Sequence, residues 1–151
     1  MADLAVGARA TLEHTFTATQ VADFARLSGD TNPIHLDPDA ARRAGFDREV
    51  VHGVLVTGLI SRLLGTQLPG PGTILLEQQL KYLRPVYPDE RVRATVEVTT
   101  VREDKPVFGL RTWVETGEVV LEGQATVVVR RLGVVTAPAA GSGSAGTGSA
   151  T

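Results

Sequence analysis

The 151-residue sequence predicts an α+β domain: a curved antiparallel sheet wrapped around one central apolar helix. Three observations predict it. Residues 50 to 64, VVHGVLVTGLISRLL, are apolar on nearly every side, the pattern of a helix buried within the protein. After the turn-rich run LPGPG at 68 to 72 the hydrophobic period changes to two, and strand-like segments follow one another. Among them, residues 91 to 101 put Val92, Ala94, Val96 and Val98 on one face and Arg91, Arg93, Thr95 and Glu97 on the other. A sheet with one polar face must cover its other face, and the apolar helix is the available cover.

Each element has its own signals. Residues 9 to 16 alternate, with Ala10, Leu12, His14 and Phe16 on one side, which predicts a short strand. Thr17-Ala18-Thr19-Gln20 has the capping-box spacing. Val21, Phe24, Ala25 and Leu27 then form a helical stripe that ends near Ser28-Gly29. In DPDAARRAG, Asp37 is the expected cap of a second short helix, Pro38 its first residue and Gly45 its stop. Gly53 and Gly58 cost the apolar helix some stability but permit close approach of a neighbour or ligand.

The remaining segments, 73 to 84, 91 to 101, 107 to 115 and 118 to 131, read as a four-stranded antiparallel meander. Phe108, Leu110 and Val114 face inward, as do Val119, Leu121, Ala125, Val127 and Val129. Helix and sheet together make the hot-dog arrangement. Its edge strand invites pairing with a second copy, so a homodimer is expected, with a higher oligomer open. Residues 1 to 135 are expected to form this single domain. The stretch 136 to 151 has no charge, aromatic or large aliphatic residue, and is expected to be a flexible tail.

Composition narrows the function. A net charge of −2 without a basic block argues against nucleic-acid binding. The absence of cysteine excludes disulfides and thiolate metal sites. No apolar run suits a bilayer span, and the first residues do not form a signal peptide, so a cytoplasmic, non-membrane protein is expected. His35, Asp37 and Asp39 make a weak metal set, because Asp37 is better explained as a cap. There is no phosphate loop and no nucleophile elbow, so nucleophilic serine chemistry has no support.

The segment SGDTNPIH, residues 28 to 35, places a carboxylate and an imidazole around an Asn-Pro bend. One reading makes Asp30 and Asn32 turn residues. The other makes Asp30 and His35 an acid–base pair gripping one water, able to take a proton at one centre and return it at another. Asn32 could orient either partner. In Val51-His52-Gly53, His52 is a core histidine and Gly53 a packing glycine on one reading. On the other, the Gly53 N–H at a helix start polarises a carbonyl oxygen. Ser61 either bonds its own helix backbone or serves as a polar group in a pocket.

Taken together, the run FARLSGDTNPIHLDPDAARRAGFDREVVHGVLVTGLISRLLG, with LPGPG, LRPVYPDERV and VREDKPV after it, resembles the MaoC-like, (R)-specific enoyl-CoA hydratases. The resemblance runs from about residue 5 to residue 132. It implies a hot-dog dimer that adds water to trans-2-enoyl-CoA, with Asp30 and His35 as catalytic pair and the Gly53 N–H on the thioester carbonyl, a mechanism for which neither metal nor cofactor is expected. The acyl chain is expected along the apolar helix near Leu64. Lys81, Arg84, Arg102 and Lys105 are candidates for the CoA phosphates. The alternatives are a 3-hydroxyacyl-ACP dehydratase running the reaction in reverse, and a non-catalytic acyl-CoA-binding hot-dog protein.

Overall fold

A computed structural model describes residues 4–102, 104–130 and 132. The expected tail at 136 to 151 lies outside them. The chain runs β1 (Arg9–Thr15), α1 (Ala18–Ser28), a 3-10 turn (Pro33–His35), α2 (Pro38–Arg43), α3 (Gly53–Thr66), β2 (Thr73–Tyr82), β3 (Arg91–Val101), β4 (Val107–Glu115) and β5 (Val119–Val129). The five strands form one antiparallel sheet in the order β1-β3-β4-β5-β2. Helix α3 lies against its inner face. Ile60 and Leu63 of the helix are fully buried with Val92, Val96, Leu110, Val114 and Val127 of the sheet. Burying such a side chain stabilises the fold by roughly 1.5–3 kcal/mol.

The caps form as their residue types require. The Thr17 hydroxyl accepts from the Gln20 N–H while the Gln20 side chain accepts from the Thr17 N–H, closing both halves of the capping box. Gly29 ends α1 at φ 77°, the left-handed region that glycine enters without steric cost. The Asp37 carboxylate caps α2 by accepting the Asp39 N–H at 2.8 Å. On the outer face Glu13 of β1 takes Arg93 and Arg91 of β3, and the Arg93 hydrogen bond, with Arg91 adding to it, holds the Glu13 carboxyl below the usual carboxylate range.

Four expectations are corrected. The meander has three strands, β3-β4-β5; β2 pairs with β5 at the far edge, because Pro85 and Pro88 bar a tight hairpin into β3 and α3 carries the chain across the sheet first. Leu27 is exposed, and Val21 and Ala25 carry the buried stripe of α1. Val119 is only half-buried, and Val120 takes the interior. A bulge explains the shift: Val114 opposes Leu121 and Glu115 opposes Val119, leaving Val120 as the extra residue. Finally, α3 starts at Gly53, because the backbones of Val50 and Val51 are engaged elsewhere: the Val50 N–H donates to Ile34 O and the Val51 N–H to Val86 O.

Helix α3 is also not covered on every side. Val54, Gly58 and Ser61, spaced along one stripe, are exposed, and so are Ile74, Leu75 and Leu76 of edge strand β2. Among the described residues no helix is long and apolar enough to cross a membrane.

The β2–β5 seam is tight at Gly123, opposite Leu80. A β-carbon there would lie 1.9 Å from the Gln79 carbonyl oxygen, on backbone that cannot step aside. Gly123→Ala is therefore expected to lower stability by about 1–3 kcal/mol, the usual cost of overpacking. An unchanged urea midpoint would contradict that contact.

Candidate active site

The loop between α1 and the 3-10 turn supports itself. The Ser28 hydroxyl accepts the Asp30 N–H at 3.1 Å, Asp30 Oδ1 accepts the Asn32 N–H at 3.2 Å, and Asn32 Oδ1 accepts the Ile34 N–H at 3.4 Å. Each short polar side chain thus holds the amide two residues on, the geometry for which Ser, Asp and Asn are suited. Proline then presets the turn that brings up His35, whose N–H donates to Asn32 O at 3.0 Å. The turn reading of Asp30 is seen directly: one carboxylate oxygen makes the turn, and the other, Oδ2, faces His35.

Asp30 Oδ2 lies 3.9 Å from His35 Nε2, with the Asp30 side chain 53% exposed and that of His35 only 9%. That distance is too long for a direct hydrogen bond and fits two acceptors sharing one water. His35 Nδ1 lies 2.7 Å from Val50 O. A carbonyl can only accept, so Nδ1 carries a proton, and in the neutral imidazole Nε2 is then the acceptor that faces Asp30.

His52 completes the cluster. It is 2% exposed, its Nε2 lies 3.0 Å from the Asp30 backbone oxygen, and its ring stacks on His35 with centroids 3.7 Å apart. Phe24 closes the other side edge-on at 4.9 Å. Asp30, His35 and His52 offer atoms within 4.8 Å of one another that could ligate a metal. The set fits an ion poorly. One nitrogen of each ring is engaged with a carbonyl, and Asp30 already spends one carboxylate oxygen on the Asn32 N–H, which leaves few free donors for an ion.

A cleft of about 420 Å³ opens beside His35, lined among others by Val50, Gly53, Tyr82, Arg84, Val86 and Val120. Gly53 is the first residue of α3, where a helix leaves its leading N–H groups without intrahelical acceptors. The Tyr82 ring packs directly on Gly53: a β-carbon there would meet Tyr82 Cε1 at 2.8 Å, while the Tyr82 hydroxyl bonds Thr57 Oγ1 at 3.0 Å. The β5 bulge shapes the opposite wall, since Val120 O accepts the N–H groups of both Leu83 and Arg84.

The structure thus brings Asp30, Asn32 and His35 together in one loop, and of these His35 lines the cleft with Gly53, whereas Asp30 and Asn32 do not. Ser61 and Leu64 lie elsewhere: Ser61 is exposed on α3, Leu64 is buried in the core, and neither lines this cleft. Of the cationic candidates, Arg84 lines it, paired with Glu118 at 3.0 Å, whereas Lys81 lines a groove formed with Arg111 and Glu122. Sequence reasoning missed Tyr82, for which a terminal strand tyrosine gives no signal, and the clasp made by His52.

An antiparallel sheet curved around a single helix, with a polar cluster where that helix begins, defines a hot-dog protein. The chain belongs to the MaoC-like domain family, whose model matches residues 5–120. It is 48% identical over 126 residues to the (R)-specific enoyl-CoA hydratase of Aeromonas caviae, covering 82% of this chain and 94% of that protein. It is 43% identical over 128 residues to the (R)-specific enoyl-CoA hydratase of Rhodospirillum rubrum, covering 84% and 89%. The solved structure of the A. caviae (R)-hydratase involved in PHA biosynthesis superposes with a TM-score of 0.81 at 45% identity, covering 86% of this chain and all of that one.

The Gly53–Tyr82 contact makes a double-mutant cycle informative. Gly53→Ala is expected to destabilise the protein less in a Tyr82→Ala background than in the parent, with a coupling of about 0.5–3 kcal/mol. Equal losses in both backgrounds would show that the ring yields freely.

Proposed function

We propose that the chain is an (R)-specific enoyl-CoA hydratase, a hydro-lyase that adds water across trans-2-enoyl-CoA to give (R)-3-hydroxyacyl-CoA. The observation that carries this is the 3.9 Å gap between Asp30 Oδ2 and His35 Nε2, with His35 lining an apolar cleft that Gly53 also lines. With His35 neutral and Asp30 ionised, both facing atoms are acceptors. A water between them donates both its hydrogens and is left with a lone pair for C3 of the substrate.

The thioester carbonyl makes C3 electrophilic, and more so when its oxygen accepts the Gly53 N–H. As the C3–O bond forms, the pair takes one proton from the water and one proton is delivered to C2. The sum is H and OH from a single water, with no net oxidation or reduction, so the addition calls for no redox cofactor. Asn32 holds the loop through the Ile34 N–H, and the apolar wall of Val50, Val56, Val86 and Leu121 suits an acyl chain. The relatives' names support the CoA thioester and the (R) product.

The test is loss of the conjugated-thioester absorbance of crotonyl-CoA with purified protein. Asp30→Asn and His35→Gln are each expected to lower kcat by about 10²-fold or more, the usual contribution of general acid–base catalysis. Either variant retaining most of the parent rate would remove that residue from the chemistry. A parent that binds crotonyl-CoA without turning it over would be a binding protein, and a preference for acyl-ACP over acyl-CoA would move the assignment to the dehydratase.

The exposed leucines of edge strand β2 and the Val54–Ser61 stripe of α3 support a homodimer. Light scattering at assay concentration is expected to give twice the chain mass; a fully active monomer would rule the dimer out as the functional unit.

A further inference from the structure

We propose that His52 is a positioning residue for the hydration pair, holding Asp30 by its backbone carbonyl and His35 by its ring. The inference deepens the hydratase reading and rests on it.

His52 reaches three parts of the site from one buried place. Its Nε2 must be the protonated nitrogen, because the partner 3.0 Å away is the Asp30 carbonyl oxygen, which only accepts. That bond fixes the backbone from which the Asp30 carboxylate is suspended. The stacked ring 3.7 Å from His35, at an interplanar angle of 23°, leaves the His35 ring no room to tilt on that side. The Val50 carbonyl fixes the same ring at its edge. One contact restrains rotation in the ring plane and the other restrains displacement out of it. His52 is also the N-cap residue of α3, so the same side chain anchors the chain immediately before the Gly53 amide.

The remaining nitrogen separates this role from simple space-filling. His52 Nδ1 is buried and has no hydrogen-bond partner among the described residues. Buried polar atoms are almost always matched, and an unmatched one calls for a reason. A side chain kept only for volume would carry no such atom; a phenyl ring would stack as well on His35. What the imidazole adds is the Nε2–H donor. The inferred tautomers are therefore opposite across the stack: Nδ1–H on His35 and Nε2–H on His52.

The experiment compares His52→Phe, His52→Gln and His52→Asn with the parent, on crotonyl-CoA and by imidazole nitrogen NMR. Phe keeps the stack and loses the donor. The Gln amide reaches the place of Nε2, while the Asn amide stops near that of Nδ1. His52→Phe is expected to lower kcat by about 10- to 100-fold with KM within about twofold, as misplacing a reacting group does. His52→Gln should recover most of that loss, and His52→Asn should not. If His52→Phe does not fold, the Gln–Asn comparison alone decides, with Gln expected to be the faster. A folded His52→Phe enzyme at the parent rate, or Gln and Asn variants equal in kcat, would overturn the inference. So would a parent spectrum showing His52 as the Nδ1–H tautomer. A parent with the opposite tautomers but no hydration of crotonyl-CoA would sink the hydratase reading instead, leaving the clasp in place without a reaction to serve.

Discussion

The site depends on the extended pair Val50-Val51 just ahead of α3. Val50 is bonded to the loop that carries His35 through both its backbone groups: its N–H donates to Ile34 O at 3.1 Å and its carbonyl accepts His35 Nδ1 at 2.7 Å. The next amide, of Val51, reaches Val86 O at 2.8 Å, in the segment between β2 and β3. Both valines are buried, so these bonds are shielded from competing water. Two residues therefore tie loop, helix start and sheet together. Without them the turn carrying His35 would have only its local bonds, and the start of α3 would have no fixed place relative to it.

Much of this was legible because it is local. The capping box at Thr17, the Asp37-Pro38 helix start and the alternation of β3 each rest on neighbours within a few residues, and each formed as its residue types require. The approach of Asp30 and His35 to 3.9 Å was legible too, because only a short turn separates them. The rest is long-range or belongs to the backbone. The position of β2 at the far edge depends on pairing with β5, about fifty residues away, and sequential strands favour the simpler meander. The bulge that exchanges Val119 for Val120 leaves no mark in a run of valines. The carbonyls of Val50 and Asp30, which orient the two histidines, are atoms that every residue type carries. Tyr82 meets Gly53 only through the fold.

The reading of α3 as apolar all round was right for its composition and incomplete for its surroundings. Within this chain its stripe at Val54, Gly58 and Ser61 stays open, next to an edge strand that also exposes aliphatic side chains. An apolar stripe beside an unpaired strand edge is an unfinished surface for a protein in water. Pairing a second β2 strand would cover the edge hydrogen-bond groups and the leucines in one step.

The chain also divides its tasks by position. The self-bonded loop, the two stacked histidines and the helix start all lie between Ser28 and Gly53, whereas most of the facing wall comes from Tyr82 to Val86 and from Val120 and Leu121. Reactive groups and container are thus written in separate stretches of sequence, joined mainly by the Val51–Val86 bond and the Gly53–Tyr82 contact. Substitutions in the later stretch can widen or narrow the cleft without disturbing the bonds that set Asp30 and His35. A scaffold wired in this way can change what it accepts and keep what it does.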